Sequence, residues 1–190
     1  MASRAETAAT TRQALLDAAS VLLDRGGVDA VTLRDVGSGA GVSRSAAYRH
    51  FADKQDLLMA VAAAAWSAVA THLEGVEADT TQSPDEALRD ALRALVQLAR
   101  ARPHLYRLMF APLTGDATAV TQAAGQAQDG FLSIVSRIVG QRDAPPVAGL
   151  LMAATHGIVD LELSGHLSPE KWQADAEGMI DLLVRTVQDR

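Results

Sequence analysis

Apolar residues recur along the chain at helical spacing, and no convincing stretch alternates with the period of two that a half-buried strand requires. Leu15, Leu16, Ala19, Leu22 and Leu23 fall on one side of a first helix that should stop at Gly26-Gly27, where glycine accepts the left-handed cap conformation. A short second helix opens at the N-cap Thr32, carries Leu33, Val36 and Ala40 on one face and ends at Gly41. Ser43 caps a third short helix running to His50 or Phe51. Asp53 caps a fourth, with Leu57, Leu58, Val61, Ala65 and Ala68 aligned along it.

Beyond the fourth helix, residues 79–84 are polar and end in a proline suited to a first helical turn, so a fifth helix starts there with the face Leu88, Leu92, Leu95 and Ala99. Pro103 interrupts it, a short helix follows through Met109 and Phe110, and residues 112–115 break again. Val120, Ala124, Ala127, Phe131, Ile134, Val135 and Ile138 form the next stripe. Residues 140–146 read as a turn before a helix whose core stripe is expected to be Val147, Leu150, Leu151, Ala154, Ile158 and Leu161, with Met152, Val159 and Leu163 on a second face. Ser168-Pro169-Glu170 opens one last helix carrying Trp172, Ala176, Met179, Ile180, Leu183 and Val187. The prediction is an all-α chain of about nine helices, without repeats or low-complexity tracts.

Composition narrows the class. The 190 residues are 48% hydrophobic and 21% charged, which excludes a wholly disordered chain. The absence of cysteine excludes a disulfide scaffold and cysteine-ligated zinc or iron-sulfur sites. No unbroken apolar run approaches the roughly 18 residues of a membrane span, and the N-terminus lacks a basic region followed by an apolar one, so a cytoplasmic protein without membrane contact is expected. The net charge of -6 argues against nucleic acid until its distribution is considered. Residues 1–55 hold seven Lys/Arg against six acids and the remainder ten against seventeen, so the acidic excess lies outside the first three helices.

The second and third helices, joined by a turn at Gly41-Val42-Ser43, have the proportions of a helix-turn-helix, whose second helix is offered to the major groove of DNA. Ser43, Arg44 and Ser45 at its start are short or cationic hydrogen-bonding groups that can reach bases or phosphates, and Ala46 and Ala47 let the backbone approach closely. Tyr48, Arg49 and His50 add polar tips, although His50 equally suits packing beside Phe51. Lys54 stands at the next helix start, where a phosphate is favoured. Thr32 is a cap first and, through neighbouring backbone N–H groups, a phosphate site second. Residues 1–55 are read as the DNA-binding domain and 56–190 as a helical body.

Residues 41–58, Gly-Val-Ser-Arg-Ser-Ala-Ala-Tyr-Arg-His-Phe-Ala-Asp-Lys-Gln-Asp-Leu-Leu, resemble the recognition-helix signature of the TetR/AcrR family of transcriptional regulators. Thr155-His-Gly-Ile-Val-Asp-Leu-Glu162-Leu-Ser-Gly165 is similar to an element of one of the family's C-terminal subtypes. The resemblance implies a three-helix DNA-binding head on a ligand-binding and dimerising helical bundle. It further implies a homodimer that binds double-stranded operator DNA and releases it when a small molecule occupies the body. It marks Tyr48 and Lys54 as phosphate contacts. Two departures stand out: Val36-Gly-Ser-Gly39 replaces a more helix-favouring run, and Ala47 replaces a larger aliphatic residue. The interior glycines are expected to loosen the second helix.

In the body, Trp66, Met109, Phe110, Phe131, Met152 and Trp172 are large or adaptable groups suited to a cavity between helices, as they are to simple core packing. With His156, all but Trp172 make up the candidate ligand set, and a largely apolar effector follows. His156 and Asp160 share a helix face but lack a third donor for a metal. Nor is there a phosphate-cradling glycine loop, a G-x-S-x-G or an H-E-x-x-H motif, so neither enzyme activity nor a cofactor is expected. The two apolar faces on the helix after residue 146 predict a dimer through the last two helices. The rival reading is a helical small-molecule-binding or interaction module without DNA binding.

Overall fold

The computed structural model describes residues 3–112 and 115–188, and every described regular element is helical. The predicted break at 112–115 falls partly outside the described residues. The chain divides into two compact units, one of Met1–Trp66 with His104–Ala123, the other of Ser67–Pro103 with Ala124–Arg190. The first unit thus extends past residue 55 and takes in a later segment of the chain.

In the first unit, α1 (Arg4–Gly26) begins at a reciprocal cap: Ser3 Oγ accepts from the Glu6 N–H at 3.1 Å, and Glu6 Oε2 accepts from the Ser3 N–H at 2.6 Å. It ends at Gly27, whose φ of 69° suits glycine. A single 3-10 turn, Val28–Ala30, leads to α2 (Leu33–Gly39) and α3 (Arg44–His50). Then α4 (Lys54–Ala78) begins, with Asp53 Oδ1 accepting from the Asp56 N–H at 2.9 Å. Leu15, Leu23, Val31, Val36, Phe51 and Leu57 are fully buried and form the centre of this unit. Here too lie α6 (Pro103–Met109), apart from Pro103, and the start of α7 (Thr118–Val139).

The glycines of α2 do not disrupt it. Gly37 is buried, and a Cβ there would stand 3.5 Å from the Val42 carbonyl oxygen and 3.6 Å from Ala47 Cβ. A Cβ on Gly39 would stand 3.2 Å from Ala18 Cβ. At Gly39 the absence of a side chain lets α2 approach α1 closely, which offsets its loss of helix propensity, whereas Gly37 leaves ordinary contact space for a methyl group beside α3.

The second unit rests on α5 (Pro84–Ala101), α8 (Ala144–Leu163) and α10 (Ala176–Gln188), which pack against one another. Ser83 and Glu86 cap α5 reciprocally, with Pro84 in the first turn as predicted. Arg89 and Arg93 of α5 both reach Asp181 of α10, at 3.0 and 2.9 Å. Arg93 Nε also stands 2.9 Å from Glu177 Oε2, a charge contact rather than an aligned hydrogen bond. Arg100 bridges Glu162 of α8 and Glu177 of α10 at 2.7 and 2.9 Å.

Three expectations are corrected. Pro145 and Pro146 belong to the first turn of α8 rather than to a preceding loop, since a first turn has no need of their N–H groups. The predicted helix from 169 is two pieces, α9 (Pro169–Trp172) and α10, separated where Gln173 adopts φ 53°. Trp172 is consequently exposed instead of lining a cavity. On α8 the phase differs from the expected stripe: Val147, Leu151, Ile158 and Val159 are buried, while Leu150 is 61% and Leu161 43% exposed. That helix is apolar nearly all round, so periodicity alone could not choose its inner face; packing on α5 and α10 does.

By average hydropathy and length, α4 and α8 could each cross a membrane. More than half of the apolar window of α4 is buried in the fold, as for a core helix.

Candidate nucleic-acid interface

The turn between α2 and α3 is closed by two backbone bonds, Val42 N–H to the Gly37 carbonyl at 2.9 Å and Gly41 N–H to the Ser38 carbonyl at 3.1 Å. This is a Schellman ending, and it requires the left-handed residue that Gly41 supplies with φ 68°. Ser43 then caps α3, its Oγ accepting from the Ala46 N–H at 3.2 Å and lying 3.0 Å from Ser45 Oγ. The chain is thereby turned sharply and α3 is started within a few residues.

The faces of α3 are cleanly divided. Ala46 and Ala47 are buried, at 8% and 0% exposure, against the centre of the unit, while Ser43, Arg44, Ser45, Tyr48 and Arg49 are exposed. Ala46, included among the candidate DNA residues, therefore faces inward. The Arg44 guanidinium lies over the Tyr48 ring at 5.5 Å from its centroid. His50 and Lys54 are half-buried at the end of α3 and the start of α4. Arg12 of α1, which the sequence pattern does not single out, stands 5.1 Å from the centroid of the Phe51 ring and adds a cation beside the end of α3. No local signal marks it, because its neighbour lies 39 positions away in sequence.

Thr32 caps α2 through its Oγ, which accepts from the Asp35 N–H at 3.1 Å while its hydroxyl donates to Asp35 Oδ2 at 2.7 Å. The Thr32 hydrogen bond, aided by Arg34 at 3.3 Å, holds the Asp35 carboxyl below its ordinary range. The start of α2 thus already carries an anion of its own.

The candidate ligand residues fall into two groups. In the first unit the Trp66 indole N–H donates to the Met109 carbonyl at 3.3 Å, and the Phe110 ring lies 5.3 Å from Trp66 and 4.8 Å from Tyr106 between centroids. Tyr106, missed in the sequence, completes this cluster. In the second unit Phe131 and Met152 line a cleft of about 240 Å³ between α7 and α8, with Gln128, Leu132, Ala148 and Gly149. His156 is half-buried one turn further along α8.

An exposed helix set by a glycine turn on a three-helix core, followed by a helical body, defines the class: a helix-turn-helix transcriptional regulator. The description "Bacterial regulatory proteins, tetR family" matches residues 15–61, and "Tetracyclin repressor-like, C-terminal domain" matches residues 88–187, more than half of the chain. The chain belongs to the tetR family. It is 44% identical over 52 residues to the HTH-type transcriptional regulator AcrR of Shigella flexneri, a match spanning 27% of this chain and 24% of that protein. The fold is similar to that of a protein of unknown function from Rhodococcus sp. RHA1, with TM-score 0.78, 28% identity and 94% of each chain covered. It is also similar to RolR solved in complex with resorcinol, with TM-score 0.63, 22% identity, and 98% of this chain and 89% of that one covered.

Proposed function

We propose that the chain is a ligand-responsive repressor which binds a palindromic operator as a homodimer and leaves it when a small, largely apolar molecule occupies its body. The observation that carries this reading is the division of α3 into a buried alanine face and an exposed face bearing Arg44, Ser45, Tyr48 and Arg49. On this reading Arg44 reads a guanine edge or holds a phosphate, with Ser43, Ser45, Arg49 and His50 beside it. Tyr48 and Lys54 hold phosphates, and the backbone after Thr32 is the weaker candidate for one because the Asp35 carboxylate already stands at that helix start. Such a protein works in the cytoplasm.

Dimerisation is supported by the apolar surface left on the second unit. Pro146, Leu150, Ala153, Gly157 and Leu161 follow one another at helical spacing along the exposed side of α8, and Leu182 of α10 is 57% exposed. A stripe of this kind calls for a partner, and a second copy brings an identical stripe. Pairing would set the two α3 helices about 34–36 Å apart, or somewhat more, to meet successive major grooves.

Induction needs a ligand that favours the non-binding arrangement by about 1–3 kcal/mol. Trp66, Met109, Phe110, Phe131, Met152 and His156 are the candidate contacts, and α4, which contributes residues to both units, is the candidate link. The resorcinol bound to RolR supports a small-molecule effector. Titration of the full chain into a selected duplex at several salt concentrations tests the DNA assignment. Arg44→Ala is expected to weaken binding and, if Arg44 reads a base, relax sequence preference. Lys54→Ala should weaken all duplexes alike and lower the salt slope by about one. Unchanged binding in both variants would remove the assignment.

A further inference from the structure

Thr155 of α8 is fully buried, and its Oγ1 has no hydrogen-bond partner among the described residues. A threonine inside a helix ordinarily turns its hydroxyl back to the carbonyl four residues earlier. Here that bond is not made, so a buried polar group stands ready for a partner at a cost in stability. Ala148, Met152 and Thr155 are spaced i, i+4 and i+7 and so share one face of α8. The first two of them line the cleft between α7 and α8.

We propose that this cleft takes a compact, uncharged, mainly apolar molecule of about bicyclic-aromatic size bearing one hydroxyl, and that the hydroxyl pairs with Thr155. The inference rests on the effector reading and specifies the chemistry of the ligand. The lining residues carry no charge: Phe131, Leu132, Ala148, Gly149 and Met152 are apolar, and Gln128 is an amide. A carboxylate or an amine settling against Phe131 and Met152 would lose part of its hydration without gaining a counter-charge, since Gln128, Pro145 and Gly149 at the mouth of the cleft are exposed and uncharged. The volume of about 240 Å³ lies below the range of about 300–1,000 Å³ usual for larger ligands, which disfavours long acyl chains with bulky headgroups. Buried Phe131 offers a face to an aromatic ring. Half-buried Met152 lies between the cleft residues and Thr155 along α8, and its unbranched thioether can turn aside to let the hydroxyl through.

The test uses the full chain with 2-naphthol and with naphthalene, which differ by the hydroxyl alone, in calorimetric or fluorescence titration. Wild type is expected to bind 2-naphthol saturably and more tightly than naphthalene by roughly 3- to 10-fold, the worth of one net hydrogen bond. Thr155→Val keeps the shape, removes the hydroxyl and should bring the ratio to about one. Met152→Trp, which fills the cleft, should abolish both interactions. An unchanged ratio in Thr155→Val, full binding by Met152→Trp, or no saturable binding to wild type overturns the proposal. So does loss of dimer in Met152→Trp with naphthol binding intact, which would assign the cleft to the subunit contact. Retention of duplex DNA is read on the ligand-free wild type in parallel. Its loss strikes the regulator reading, whereas intact retention without naphthol binding strikes this inference alone.

Discussion

The guanidinium of Arg44 rests over the ring of Tyr48, 5.5 Å from its centroid and one helical turn away, on the exposed side of α3. A long cation that is already held against an aromatic face has less rotamer freedom left to lose when it meets DNA. Tyr48→Phe, which retains the ring, should therefore weaken binding to a selected duplex less than Tyr48→Ala does. The difference is expected at about 0.5–1 kcal/mol, the worth of an exposed cation–π contact. Fluorescence anisotropy on the two variants decides it, and equal losses would show that the ring does nothing for Arg44.

Two glycines of the helix-turn-helix should respond in opposite directions to alanine. Gly37 has room for a Cβ at ordinary contact distance, so Gly37→Ala is expected to raise the stability by about 0.5–1 kcal/mol through helix propensity. Gly41 holds φ 68° in the Schellman turn, and Gly41→Ala should lower stability by about 1–2 kcal/mol and weaken DNA binding with it. Urea denaturation of both variants checks the signs.

Acid should loosen the helix starts. The Ser83 hydroxyl and then its N–H, at 2.7 and 2.8 Å from Glu86 Oε2, hold the Glu86 carboxyl below its ordinary range, and Thr32 and Arg34 do the same for Asp35. A carboxyl lowered in the folded state gives stability that is fully present above its unfolded pKa and is lost as pH falls through the folded one. The denaturation midpoint should accordingly be flat near neutrality and decline on the acid side of the ordinary carboxylate range. Glu86→Gln, which retains the cap geometry, should show a shallower decline. An identical pH profile in that variant would contradict the assignment.

The exposed stripe of α8 carries the subunit prediction. Leu150, at 61% exposure, can accept a charged side chain in an isolated protomer without disturbing the core, so Leu150→Glu should fold, sediment as a monomer and bind operator DNA far more weakly than wild type. A Leu150→Glu protein that remained dimeric would place the subunit contact elsewhere.

What the sequence made legible was the punctuation. Thr32, Ser43, Asp53 and Pro84 announce helix starts because each satisfies or avoids a first-turn N–H locally, and all four stand where predicted. The exposed side of α3 was readable as well, except for Ala46, whose small size fits close approach to a partner as well as burial, and which is buried. Long-range choices were hidden. The inner face of α8 depends on α5 and α10, and Arg12 gains its aromatic neighbour from a residue distant in the chain, whereas Tyr106 stands four positions from Phe110 and was within reach of a local reading. The break after Trp172 lay under an apolar repeat that continues through Ala176 and Met179. Its one local sign is Asp175, whose Oδ1 accepts from the Gly178 N–H at 2.8 Å and starts α10 afresh.

Repeated selection of bound sites from random duplex DNA by the full chain probes the central claim most directly. The account predicts one enriched inverted repeat whose half-site bases change preference in Arg44→Ala. Enrichment of no sequence over the starting pool, or of an unpaired site indifferent to Arg44, would contradict it.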